Sequence, residues 1–161
     1  DRRIDRARGE LSRFTTEAQR TQRRDPQGNR TMRYNELSGK IIQAAIEVHK
    51  ELGPGLLESV YQTCLLHELR SMGINAVPEV PVPIVYKGNH IGHDLRIDLL
   101  VDDRIVVEVK SVEELHPIHT AQVLTYLKLT RNRLGLLINF NATKLVNGVE
   151  RIMNGFLEEG E

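Results

Sequence analysis

A chain of 161 residues, 40% of them apolar and 4% aromatic, can bury one domain core and is short for two. Its 22 basic and 22 acidic residues cancel unevenly: residues 1–31 hold nine arginines against five acids, and residues 32–161 hold thirteen basic against seventeen acidic side chains. An acid excess in the folded part excludes tight, non-specific binding of nucleic acid by charge alone. A single cysteine excludes a disulfide framework, and no apolar run approaches membrane-spanning length.

Residues 1–31 are polar and arginine-rich, and Asp25-Pro26-Gln27-Gly28-Asn29 is a cluster of breakers. The stretch reads as a disordered or marginally helical extension. Met32 reads as the natural start of a folded domain spanning 32–161, with the preceding residues lying upstream of it. The competing reading of 1–31 is a basic arm that grips nucleic acid. Nothing at the N-terminus resembles a signal peptide, and a soluble, cytoplasmic protein is expected.

A helical stripe follows in Leu37, Ile41, Ala44, Ala45 and Val48, with Asn35 as N-cap and Gly53 stopping the helix before Pro54. Beyond the Gly53-Pro54-Gly55 connector, a second helix is predicted from about Leu57 to Met72. Its apolar side is Val60, Tyr61, Cys64, Leu65 and Leu69, and Gly73 is its C-cap. Glu58 falls in its first turn, where the helix dipole alone is sufficient reason for a carboxylate.

Pro78, Pro81 and Pro83 confine the next extended run, which ends at Tyr86, to a sheet edge or an irregular segment. Lys87-Gly88-Asn89 turns the chain into a strand from about Gly92 to Val101, and a hairpin partner covers Arg104 to Ser111. A helix is expected from about Ile118 to Leu129, then a strand buried on both faces from Leu134 to Phe140. A loop or short turn over 141–148, a short strand from Val149 to Met153 and a fraying acidic tail complete the chain.

The chemistry concentrates between Asp98 and Lys110. Val107 and Val109 alternate with Glu108 and Lys110, so the acid and the ammonium share one face of the strand. Two carboxylates and an ammonium on a buried sheet are unfavourable unless a divalent cation or a phosphate offsets their desolvation. The plainer reading is an exposed sheet face with an ordinary ion pair.

Register decides whether Asp98 and Glu108 meet. With a two-residue turn at Asp102-Asp103, Asp98 would oppose Val107 and no shared site could form. A three-residue loop, Asp102-Asp103-Arg104, brings Asp98 opposite Glu108 and sets Arg96 and Lys110 on the same face. The three-residue loop is therefore predicted.

Helix, helix, three extended segments, helix and strand, with Asp98 on one strand and Glu108-Val109-Lys110 on the next, resembles the PD-(D/E)XK nuclease superfamily. Gln122 and Tyr126, spaced i, i+4, look like the Gln-X-X-X-Tyr motif of one branch. Gly55-Leu56-Leu57-Glu58-Ser59-Val60-Tyr61 matches the signature of its GxxExxY family. The likeness covers roughly residues 33–153 and excludes the arginine-rich extension.

That resemblance implies an α/β (α+β) fold with a restriction-endonuclease-like core, a mixed β-sheet flanked by helices. It implies a metal-dependent nuclease in which Glu58, Asp98, Glu108 and Lys110 are catalytic and Glu58, Asp98 and Glu108 hold Mg²⁺ or Mn²⁺. The carbonyl of Val109 is a further oxygen donor, and hard oxygen ligands suit these ions. Gln122 and Tyr126 then position substrate. The implied partner is nucleic acid, DNA foremost, with a homodimer or a protein partner in addition. The alternative is a catalytically silent nuclease fold serving as a binding or regulatory module. A transition-metal site built from histidines, with His116 and His119 at a helix start and His90 and His93 near Asp98, is the minor option.

Overall fold

A computed structural model describes residues 32–157 and residue 161; the expectations for 1–31 lie outside the described residues, as do those for 158–160. Nine elements follow in order: helices α1 (Tyr34–Leu52) and α2 (Glu58–Ser71), strands β1 (Ala76–Tyr86), β2 (Asn89–Val101) and β3 (Ile105–Lys110), helix α3 (Pro117–Thr130), β4 (Leu134–Asn139), a 3₁₀ turn (Leu145–Gly148) and β5 (Val149–Met153). The strands form one sheet in the order β1-β2-β3-β4-β5. Among the described residues only β3 and β4 run parallel, and α3 makes the crossover between them. This is the mixed sheet flanked by helices that the sequence implied.

Each face of the sheet has its own core. Leu37, Ile41, Ala44 and Val48 of α1 and Tyr61, Leu65 and Leu69 of α2 pack on Leu99, Val101, Val107, Val109, Leu136 and Ile138. Val123, Tyr126 and Leu127 of α3 pack on the other face, against Val106, Leu137, Ile97 and Ile152. All six residues of β4 are buried, as a strand covered on both sides requires. At Gly135 a Cβ would lie 2.6 Å from Val123 Cγ1, so the missing side chain is what lets α3 approach β4.

Some element ends differ from expectation; α2, for one, is capped by Met72, with Gly73 one residue beyond it at φ +74°. The first helix is capped by Arg33, whose amide donates to Glu36 Oε2 at 2.9 Å, and not by Asn35. Asn35 Oδ1 instead accepts Arg151 Nη2 of β5 at 2.6 Å, a tertiary partner that outcompetes the local cap. β2 begins at Asn89, three residues earlier than expected, because it continues as a two-stranded ribbon with β1. The prolines of β1 do lie on a sheet edge.

The hairpin between β2 and β3 has the three-residue loop. Val101 pairs with Ile105, Leu100 with Val106 and Leu99 with Val107, and both Asp102 and Asp103 take positive φ, 52° and 55°. Continuing that register sets Asp98 opposite Glu108.

The face assigned to Arg96 is overturned. Leu99 and Val101 pack toward α1 and α2, whereas Ile97 and Leu95 pack toward α3, so β2 turns over at Asp98. β1 turns with it at the opposed Glu79, whose φ of 52° is in the left-handed region. Arg96 therefore lies on the sheet face away from Lys110.

Candidate active site

Past Leu99 and Val107 the ladder between β2 and β3 stops, and side chains take over its hydrogen bonds. Asp98 Oδ2 accepts the Val109 amide at 2.8 Å, and the Asp98 amide donates to Glu108 Oε1 at 3.2 Å. Each carboxylate thus satisfies the backbone of the opposite strand, and the two acids are held together where the strands part.

The electrostatics follow from that geometry. Glu108 is 3% exposed, and burial, then the neighbouring charge of Asp98, pushes its carboxyl up to about 8. Burial also raises Asp98, with Glu79 and Glu58 adding to the rise. The Val109 amide and the Lys110 ammonium pull Asp98 the other way. Without a cation between them, two such groups resist ionising together.

Lys110 ends β3, and its carbonyl accepts the Phe140 amide at 2.9 Å, which fixes the backbone beneath the ammonium. Glu58 reaches the same corner from the first turn of α2, with Oε1 3.4 Å from the Ser111 amide. The loop before it is pinned by Tyr61, whose hydroxyl donates to the Gly53 carbonyl at 2.5 Å and accepts the Leu56 amide at 3.1 Å. The Tyr61 ring stacks on Phe140, centroids 4.6 Å apart. Gly55, with φ of +97°, makes the turn that no side chain would favour. Gly55 and Tyr61 therefore serve to orient Glu58.

From the other face, Gln122 Nε2 donates to the Tyr126 hydroxyl at 2.9 Å. Burial raises the Tyr126 phenol, and the charge of Glu108 raises it further, so this pair closes the Glu108 side of the site. Glu58, Asp98, Glu108, Lys110, Gln122 and Tyr126 thus converge from α2, β2, β3 and α3.

Sequence reasoning missed Gln62, Glu79 and Asn139. Gln62 Nε2 donates both to Glu79 Oε1 at 2.7 Å and to the Asp98 carbonyl at 3.1 Å, clamping α2 to the strand of Asp98. Its spacing of four from Glu58 on one helix was the available signal. Glu79 had none. Asn139, 5% exposed, brackets Val112 through its amide and carbonyl at 3.1 and 2.9 Å and so fixes the exit of β3.

A family model of the PD-(D/E)XK nuclease superfamily matches residues 35–152, which span every element that builds the site. The chain belongs to this superfamily. Neither the curated proteins nor the solved structures gave a match.

In superfamily terms, Asp98 and Glu108-Val109-Lys110 occupy adjacent central strands. The oxygen donors suit a hard divalent cation, and the raised carboxyls of Asp98 and Glu108 are what a cation would relieve. Among the described residues, no three His, Cys, Asp or Glu side chains converge closely enough to hold a metal by themselves. This includes the histidines: His116 and His119 cap α3, and His49 bonds the Ala142 carbonyl at 2.8 Å. Backbone carbonyl, water and substrate oxygens would complete a shell begun by Asp98 and Glu108.

Proposed function

We propose that this domain, 32–161, is a metal-dependent nuclease of the Gly-X-X-Glu-X-X-Tyr kind that hydrolyses phosphodiester bonds, DNA foremost. The observation that carries the reading is the pairing of Asp98 and Glu108 across parted strands, with Glu108 buried, Asp98 half-buried and Lys110 beside them. A bland surface ion pair has no reason to set a buried carboxylate against a second, half-buried one.

Asp98 and Glu108 would hold Mg²⁺ or Mn²⁺, with Glu58 at the edge of the shell. Such a cation lowers the pKa of water and polarises a phosphoryl oxygen. Lys110 places a positive charge beside the acids, where it orients the attacking water and neutralises charge that develops on the phosphate. Tyr126 and Gln122 wall the opposite side and position the substrate. Burial of Glu108 limits the screening of its own charge by bulk water.

The second reading is a silent nuclease fold used for binding. The hold of the Ser111 amide on Glu58 favours it, as does the acid excess of the folded part. Turnover on duplex DNA and on RNA with Mg²⁺ or Mn²⁺ separates the two. The enzyme reading expects cleavage that Asp98→Ala and Lys110→Ala abolish, with Mn²⁺ binding largely kept in Lys110→Ala. Equal cleavage by wild type and Asp98→Ala, or cleavage that persists in EDTA, overturns it.

A further inference from the structure

Ten consecutive residues, Val85 to Asp94, are exposed although most of them lie in β1 or β2. The ribbon they form leaves the sheet beside Asp98, after its base, Val82 and Leu95, packs on the α3 core. Its tip at Lys87-Gly88 lies five residues beyond, roughly 15 Å at the rise of an extended strand. A two-stranded ribbon with both faces in water buries little to hold itself together. A bound partner would supply that burial.

The tip is shaped by a bulge. Pro83 pairs with Asp94 and Val85 with His90, so Ile91-Gly92-His93 faces Ile84 alone, three residues against one. Gly92, with φ of +74°, turns the bulge. His90 Nε2 then meets Asp94 Oδ1 at 3.3 Å, where four positions of straight strand would span about 13 Å. Lys87 lies over the Tyr86 ring, 5.4 Å from its centroid.

Three features select the occupant. The outer edge of β1 carries Pro78, Pro81 and Pro83, and the bulge interrupts β2, so strand addition by a second copy or a peptide is disfavoured at either edge. From Pro83 to Ile97 the only carboxylate is Asp94, already engaged by His90, and the other charges are Lys87 and Arg96. The segment is net positive within residues 32–161, which carry an acid excess, so the ribbon itself does not repel a polyanion. The shape then narrows the choice: the major groove of B-form DNA, about 12 Å wide, admits a two-stranded ribbon, whereas that of A-form RNA is too deep and narrow.

We infer that the Val85–Asp94 ribbon is a groove-entering grip for duplex DNA, with Lys87 and Arg96 on phosphates, holding the substrate across the Asp98 corner. This deepens the nuclease reading and rests on it.

The test is fluorescence anisotropy of a labelled duplex DNA of about 20 base pairs, a length that spans the groove contacts. The full chain carries Lys110→Ala so that turnover does not intrude, and it is compared with the same chain carrying Lys87→Ala and Arg96→Ala as well. Both proteins retain residues 1–31. Loss of two phosphate contacts should weaken DNA binding by about tenfold or more and flatten the salt slope by about two. Duplex RNA should bind more weakly and respond less. Equal DNA affinity in the two proteins, no DNA binding by the parent, or a changed sedimentation coefficient without a change in affinity overturns the inference. Ribbon-dependent binding by a wild-type chain that never cleaves would defeat the nuclease reading alone; cleavage with an indifferent ribbon would defeat this one alone.

Discussion

Replacing Glu108 with glutamine keeps the shape of the buried side chain and its acceptor for the Asp98 amide while removing the ionisable proton. Below about pH 4.5 Glu108 holds its proton in both folded and unfolded chains, so pH has no leverage through this group. Between there and about pH 8 the unfolded chain releases the proton and the folded chain keeps it. Stability is thus fully present below the unfolded value and is lost as pH rises through the folded one. A displacement from 4.5 to about 8 corresponds to roughly 5 kcal/mol at most, at 1.36 kcal/mol per unit. That is about 15–20 °C in melting temperature for a fold of this size. The assay is thermal unfolding in EDTA from pH 4.5 to 8.5, wild type against Glu108→Gln. Wild type should lose stability across that window relative to the variant, and saturating Mn²⁺ should recover it. Parallel stability curves for the two proteins would refute the burial and like-charge account of the site.

Gly135→Ala sets a Cβ against Val123 and should destabilise the fold by about 1–3 kcal/mol; Val123→Ala in the same chain should restore part of the loss, as read by urea unfolding. Tyr61→Phe keeps the stack on Phe140 but removes both hydroxyl bonds to the connector. It should lower stability by about 1–3 kcal/mol and raise amide exchange at Leu56, and unchanged exchange there would show that the hydroxyl does not pin the loop.

How far the sequence carried the structure depended on whether a local rule met a tertiary competitor. The hairpin register was legible because strand parity allows Asp98 and Glu108 to meet only with an odd-length loop. Gly53, the prolines of β1 and the apolar run of β4 were legible because each restricts the backbone or its burial directly. Arg96 was misassigned because alternation was carried through Asp98, where β2 turns over. The associated positive φ is at Glu79, a residue type with no preference for that region, so nothing in the chain marked it. Asn35 was misread for the opposite reason: a strong local preference yielded to Arg151, 116 positions away. Gln62 stayed hidden because its partners include a main-chain carbonyl, which no side-chain motif encodes.

The parting of β2 from β3 at Asp98 also separates two tolerances to insertion within one sheet. On the core side of that point, a one-residue insertion in the hairpin shifts every pairing and turns the acids apart. On the ribbon side, no third strand reads the register, and the bulge already accommodates two unmatched residues. Members of the lineage could therefore lengthen, shorten or re-kink the ribbon without disturbing the carboxylates beneath it. Variation in reach and in the sequence at the tip is open to selection while the chemistry stays fixed, as on a tool whose bit can be exchanged.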